Sequence, residues 1–250
     1  MERLFSGPSY STPAGIRRPL LARLLGWSRV PFFWYVAQEI RASKRAVAQG
    51  RFDAPCFVQH AEGVIRGVEL CGGTVSVTGM EHLSAVADPV VLVGNHMSFL
   101  ETFVLPAMVL PRRPMSFVVK ESLVDDRWVG VLLATLDPVP LGRVNPRDDL
   151  RTLLQEGRKR LEAGRSVCVF PQSTRSSVFD RAKFNSIGAK LAQRTGCPII
   201  PFALRTDFMA NGSLVKDFGP VHPERAVHFA FGAPIDSHDA KAAQQQVVDF

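Results

Sequence analysis

The chain has 250 residues, 46% of them hydrophobic, and a formal net charge of +7, which excludes disorder throughout and allows a full buried core. Its four cysteines, Cys56, Cys71, Cys168 and Cys197, are widely spaced with no CxxC or Cys/His cluster, which argues against a zinc site or disulfide framework and fits a reducing, cytoplasmic setting. The basic excess is uneven: residues 1–60 hold nine Lys/Arg against three Asp/Glu, and residues 61–250 hold 21 against 20.

The opening stretch "MERLFSGPSYSTPAG" is rich in Ser, Pro and Gly and reads as a flexible tail. Two helices are predicted next, from about Arg17 to Arg29 and from Pro31 to near Gly50, because proline suits a first helical turn where its missing N–H is unneeded. Here "RRPLLARLLGWSRVPFFWYVAQEI" mixes Arg17, Arg18, Arg23 and Arg29 with leucines, Trp27, Phe32, Phe33 and Trp34. Such a mixture suits a segment lying in the interface of an anionic membrane surface; the alternative is a helix packed on the core with its arginines snorkelling outward. The longest charge-free run, Val30 to Gln38, is far short of the roughly 20 apolar residues a membrane span needs. With no clear cleavage site either, neither a transmembrane span nor a signal peptide is predicted. A nucleic-acid partner is disfavoured, since its basic residues would spread over the folded domain, which is almost neutral. A third amphipathic segment is expected within "CFVQHAEGVIRGVELCGG". The chain thus divides into an N-terminal part, residues 1–60, and a main domain, residues 61–250.

From there the pattern alternates. "TVSVTG", "PVVLVGN", "MSFVVK", "DPVPLG", "SVCVFP", "PIIPFALR" and "AVHFAFG" read as strands, several too continuously apolar to have a solvated face. Helices are predicted between them at Ser98–Leu110, Glu121–Thr135, Pro146–Ala163 and Phe184–Thr195, with a further one in "AKAAQQQVVDF". The expected fold class is α/β, a mostly parallel central sheet flanked by helices, with some antiparallel pairing admitted at the edges. Functional residues are then expected in the loops at strand ends.

One such end is "VVLVGNHMSFLETF". Read structurally, Ser98 caps a helix and Glu101 completes a capping box. Read chemically, Glu101 accepts the Nδ1 proton of His96 and leaves Nε2 as a base. Five positions on a straight helix turn about 500°, which separates the two side chains, so the chemical reading requires His96 to precede the helix. A second strand end, "FPQSTRSS", offers Gln172, Ser173, Thr174 and Arg175 as an anion-holding turn. Lys120 in "MSFVVK" and Arg143 in "PLGRVN" end two further strands. Basic residues at three strand ends beside a candidate base describe a phosphate-bearing substrate next to a proton acceptor.

In this order the segments "NHMSFLE", "KESL" with "PLGRVN", "FPQSTRS" and "CPIIP" resemble the four sequence blocks of the glycerolipid acyltransferase family, whose best-known members acylate lysophosphatidic acid. The resemblance spans Asn95 to Pro201. It implies that His96 deprotonates an acceptor hydroxyl and that Glu101 orients and charge-stabilises it. The hydroxyl then attacks the thioester of acyl-CoA or acyl carrier protein, without a cofactor or metal. Arg175, with Lys120 and Arg143, would hold the acceptor phosphate, with Gln172, Ser173 and Thr174 beside it. The implied acceptor is a lysophospholipid, 1-acylglycerol 3-phosphate first, with glycerol 3-phosphate or another lysolipid as the rival and a noncatalytic membrane-binding protein as the alternative of another class. The implied location is the cytoplasmic face of a membrane, held peripherally. The sequence departs from the family pattern at three positions: Glu101 stands where Asp is usual, and Gln172-Ser173 where Glu-Gly is usual.

Overall fold

A computed structural model describes residues 3–25, 28–127, 129–172, 174–212 and 218–250. Trp27 of the aromatic segment and Ser173 of the anion-holding turn lie outside the described residues. In chain order the elements are β1 (Tyr10–Ser11), α1 (Leu20–Leu24), α2 (Val30–Ala48), α3 (Ala54–Leu70), β2 (Val75–Thr78), β3 (Val91–Gly94), α4 (Leu100–Val109), β4 (Met115–Lys120), α5 (Gly130–Ala134) and β5 (Val139–Leu141). Next come α6 (Pro146–Thr152), which runs through a π-turned stretch, Leu153–Gly157, into α7 (Arg158–Glu162), then β6 (Ser166–Val169), α8 (Ile187–Thr195), β7 (Ile199–Arg205), β8 (Val227–Phe231) and α9 (Ala240–Asp249).

The sheet order is β1-β2-β8-β7-β3-β6-β4-β5. Strands β7, β3, β6, β4 and β5 form a parallel block. β8 is antiparallel to β7 but parallel to β2, and β1 is antiparallel to β2. All seven predicted strands are present, and the central ones are apolar on both faces for a visible reason. Leu92, Cys168 and Ile200 point into one core with α2, α3 and α4. Their neighbours Val91, Val93, Val167, Val169 and Ile199 point into a second core with α7, α8 and α9. A strand covered on both faces has no solvated positions to alternate with apolar ones.

Three expectations need correction. The opening residues do not trail loosely: Phe5 is buried, β1 joins the sheet edge, and Tyr10 Oη and Thr12 Oγ1 both donate to Glu69 Oε1, at 2.6 and 2.8 Å. The buried carboxylates of Glu62 and Glu69 on α3 supply the acceptors that tie the segment down, Glu62 by taking Leu4 N–H at 2.9 Å. Nor does the chain divide at residue 60, because α3 runs across that point and Phe5, Phe32 and Phe57 share one core with the sheet. Finally, Glu121–Thr135 is not one helix but a 3₁₀ turn at Glu121–Leu123 followed by α5. Asp126 breaks the run by accepting Val129 N–H on its side chain, and a β-carbon at Gly130 would stand 2.2 Å from the Val124 carbonyl oxygen.

Helix starts obey local chemistry elsewhere. Asp53, Asn145 and Asp239 each cap a helix through a side-chain oxygen. The predicted Arg17–Arg29 helix shortens to α1, beginning after Pro19. α2 buries Phe32 and Val36 and leaves Val30 and Trp34 exposed. Among the described residues no helix is long and apolar enough to cross a membrane.

Candidate active site

Because the five parallel strands point the same way, the loops leaving their C-terminal ends gather at one edge of the sheet. Asn95 and His96 come after β3, Lys120 ends β4, Arg143 comes after β5, Phe170 to Arg175 after β6, and Thr206 after β7.

β3 is prolonged by a side chain rather than by backbone. Asn95 Nδ2 donates to the Leu204 carbonyl at 2.9 Å, and Leu204 N–H donates to Asn95 Oδ1 at 2.8 Å. This amide pair imitates one more rung of the β3–β7 ladder while the main chain turns away. His96 therefore stands in the loop before α4, as the chemical reading requires. Its main chain is clamped by the loop after β6: His96 N–H donates to Gln172 Oε1 at 2.5 Å, and Ser176 N–H donates to the His96 carbonyl at 3.0 Å. Its ring stacks on Phe170, with centroids 4.3 Å apart and planes at 21°.

Glu101 lies in the first turn of α4 with no solvent exposure. Its Oε1 is 2.9 Å from His96 Nδ1 and accepts the N–H groups of Met97 and Ser98 at 2.6 and 2.8 Å. Its Oε2 lies 2.8 Å from Ser98 Oγ and 2.6 Å from Thr206 Oγ1. Burial alone would raise this carboxyl, but the hydrogen bond and charge of His96, with the Thr206 and backbone donors, bring it below its ordinary value. An ionised carboxylate only accepts, so Nδ1 of His96 is the donor of this pair. Hydrogen bonds of both kinds coexist here: the helix begins at Leu100 after Phe99 rather than after Ser98, Ser98 Oγ accepts Leu100 N–H at 3.1 Å, and Glu101 Oε1 meets both Ser98 N–H and the imidazole.

His96 opens onto a cavity of about 310 Å³ between α3, α4, α5 and β4. Its depth is apolar, lined by Phe57, Phe103, Phe117 and Leu132 among others, and its other end carries Lys120, Arg143, Thr174 and Arg175. The pairing of Lys120 with Leu141 across β4 and β5 brings Lys120 and Arg143 to the same rim. Arg143 adopts a left-handed backbone, φ 57°, with its N–H on Asp149 Oδ1 at 3.0 Å. Although the residue as a whole is exposed, its guanidinium is crowded by protein atoms. That burial lowers its pKa, Asp149 opposes the shift, and the like charge of Arg175 adds to it. The Arg175 guanidinium also lies 5.7 Å from the ring centre of Phe99. Two guanidinium groups close enough to repel are a favourable setting for an anion.

The structure thus brings His96, Glu101, Lys120, Arg143, Thr174 and Arg175 together. Gln172 has a different place from the one expected: it is buried behind His96, outside the cavity lining, with its oxygen on the His96 backbone. Ser173 is not among the described residues. Sequence reasoning missed Thr206 and the scaffolding part of Asn95. Thr206 reads only as a polar residue after an apolar strand, and its partner is 105 positions away. Among the described residues no group of three or more His, Cys, Asp or Glu gathers to hold a metal.

Residues 74–205 match the model of the Acyltransferase family. The chain is 31% identical over 198 residues to a 1-acyl-sn-glycerol-3-phosphate acyltransferase of Pseudomonas aeruginosa, covering 77% of this chain and 72% of that protein. It is 28% identical over 130 residues to the chloroplastic 1-acyl-sn-glycerol-3-phosphate acyltransferase LPAT1 of Arabidopsis thaliana, covering 52% of this chain and 35% of that longer protein. Among solved structures, the crystal structure of the 1-acyl-sn-glycerophosphate (LPA) acyltransferase PlsC from Thermotoga maritima superposes with a TM-score of 0.61 at 19% identity, covering 92% of this chain and 94% of that one. That likeness establishes a shared fold.

Proposed function

Because the chain belongs to the acyltransferase family and is an O-acyltransferase, we propose that it transfers a fatty acyl group from an acyl-CoA or acyl carrier protein thioester to the free hydroxyl of a lysophospholipid, 1-acylglycerol 3-phosphate. The observation that carries this reading is the buried His96–Glu101 pair opening onto a cavity that is apolar in its depth and basic at its rim.

The chemistry comes from those groups. The acceptor phosphate lies against Arg175, with Lys120 and Arg143 completing the rim, and this places its hydroxyl near Nε2 of His96. As the hydroxyl oxygen attacks the thioester carbonyl, Nε2 takes its proton, a C–O bond forms and the carbonyl oxygen becomes an oxyanion. The imidazolium is stabilised by the Glu101 carboxylate through Nδ1–H. Collapse of the intermediate breaks the C–S bond, and the departing thiolate recovers the proton. The apolar depth suits an acyl chain, since each CH₂ removed from water contributes about 0.8 kcal/mol.

A membrane surface is the setting we infer, on its cytoplasmic face. Leu20, Leu24, Val30, Trp34 and Phe218 are exposed apolar groups, in a region that also holds Arg17, Arg18 and Arg23. The test is acyl transfer by the full chain in detergent, with labelled donors against 1-acylglycerol 3-phosphate, other lysolipids and glycerol 3-phosphate. We expect 1-acylglycerol 3-phosphate to be preferred and His96→Ala to lose roughly 10²–10⁴-fold in kcat. Preference for glycerol 3-phosphate would overturn the acceptor, and parental turnover in His96→Ala would overturn the mechanism.

A further inference from the structure

Thr206 is fully buried, lies one residue beyond the family-matched stretch, and is not part of the cavity lining. Its Oγ1 nonetheless makes one of the shortest contacts in the site, 2.6 Å to Glu101 Oε2. The remaining partners of that carboxylate are the ring of His96, the N–H groups of Met97 and Ser98, and the Ser98 hydroxyl. All of those belong to residues 96–98, the loop that leads directly into the helical turn carrying Glu101. Thr206 comes directly after β7, a central strand of the sheet, and brings its donor from 105 positions away. The junction is reinforced there, since Thr206 N–H points at Met97 Sδ, 3.2 Å away, and Asn211 Nδ2 donates to the Met97 carbonyl at 3.0 Å.

Glutamate is the longer acid, with one more rotatable bond than aspartate, so aiming one of its oxygens at an imidazole needs an anchor on the other. Ser98 Oγ and Thr206 Oγ1 are also 2.9 Å apart, and two hydroxyl groups have two protons for the three short contacts among themselves and Oε2. The ionised oxygen is the strongest acceptor of the set and draws both. We propose that Thr206 is a positioning residue for the catalytic base: by holding Oε2 of Glu101 to the end of β7, it directs Oε1 to Nδ1 and so fixes the direction in which Nε2 of His96 faces the cavity. It acts through Glu101 and touches no substrate. The inference rests on the reading of His96 as the base.

Valine matches threonine in shape and lacks the hydroxyl, whereas serine keeps it. In acyl-transfer assays of the full chain in detergent, Thr206→Val should lower kcat about tenfold to a hundredfold, the value of one charge-assisted hydrogen bond. KM for the acceptor should change less than about twofold, because uniform binding is untouched. The acid limb of its pH–rate profile should move to lower pH, because a carboxylate released from its anchor stabilises the imidazolium less well. Thr206→Ser should restore kcat, and in a Glu101→Gln background Thr206→Val should cost little more. Should the valine variant fail to fold, Thr206→Ser against Thr206→Cys makes the same comparison, since a thiol fills the space and donates weakly. Parental kcat in Thr206→Val, an unmoved acid limb, or a serine variant as impaired as valine would overturn the proposal. If His96→Ala is inactive in the same assay while Thr206→Val is unaffected, only this inference falls; if His96→Ala is itself active, the functional reading falls.

Discussion

A carboxyl group with no solvent exposure ordinarily favours its neutral form, yet five donor groups surround that of Glu101 and its pKa is lowered. A folded value below the unfolded one stabilises the native state above the ordinary value of 4.5, and that stability is lost as pH falls through the lower folded value. Thermal unfolding monitored from pH 7 into the acid range should therefore show a decline below about pH 4.5 that is shallower in Glu101→Gln; identical acid slopes would mean that Glu101 titrates alike folded and unfolded. Gln172 teaches a related lesson at the same scale. Its position in an anion-holding turn pointed to substrate, but its amide oxygen accepts the His96 N–H and fixes the main chain of His96 instead. From sequence, which way a short polar side chain faces at a strand end is not legible.

At the scale of elements, the end of β3 has almost no room. A β-carbon on Gly94 would lie 2.3 Å from both the Phe202 ring and its carbonyl oxygen on β7, so the two strands approach as only glycine permits. Gly94→Ala should lower stability by about 1–3 kcal/mol, read as a lower urea midpoint, and should reduce kcat as well, because the displaced strand leads directly into Asn95 and His96. An unaltered midpoint would show that Phe202 gives way freely. The strands themselves were legible because doubly covered strands leave continuous apolar runs, and the basic residues at their ends marked the site edge. Partnerships between distant polar residues left no such trace. Tyr10 and Thr12 looked like parts of a loose tail until Glu69 supplied their acceptor, and burial and that hydrogen bond raise the Tyr10 phenol well above its ordinary value. Thr206 was invisible for the same reason.

Over the whole molecule, charge and exposed apolar surface coincide at the N-terminal end: nine of the 30 Lys/Arg residues lie in residues 1–60, where Leu20, Leu24, Val30 and Trp34 are exposed. α2 combines the two arrangements open to it, since one side packs on the core and the other is open. Co-sedimentation with vesicles containing anionic lipid should weaken as salt rises from low to high ionic strength. Trp34→Glu should weaken it further without lowering the unfolding midpoint, and retention unchanged in both conditions would remove this surface from the account.

The strand order also sets a timetable for synthesis. β3 lies between β6 and β7, and Asn95 finds Leu204 only 109 positions later. A chain emerging from the ribosome must therefore hold a fully apolar strand with both edges open until most of the domain has been made. Nascent chains ending before β7 should be sticky and catalytically silent, so premature termination yields waste for proteases rather than a half-working enzyme. Competence arrives late, when the residue that anchors Glu101 takes its place.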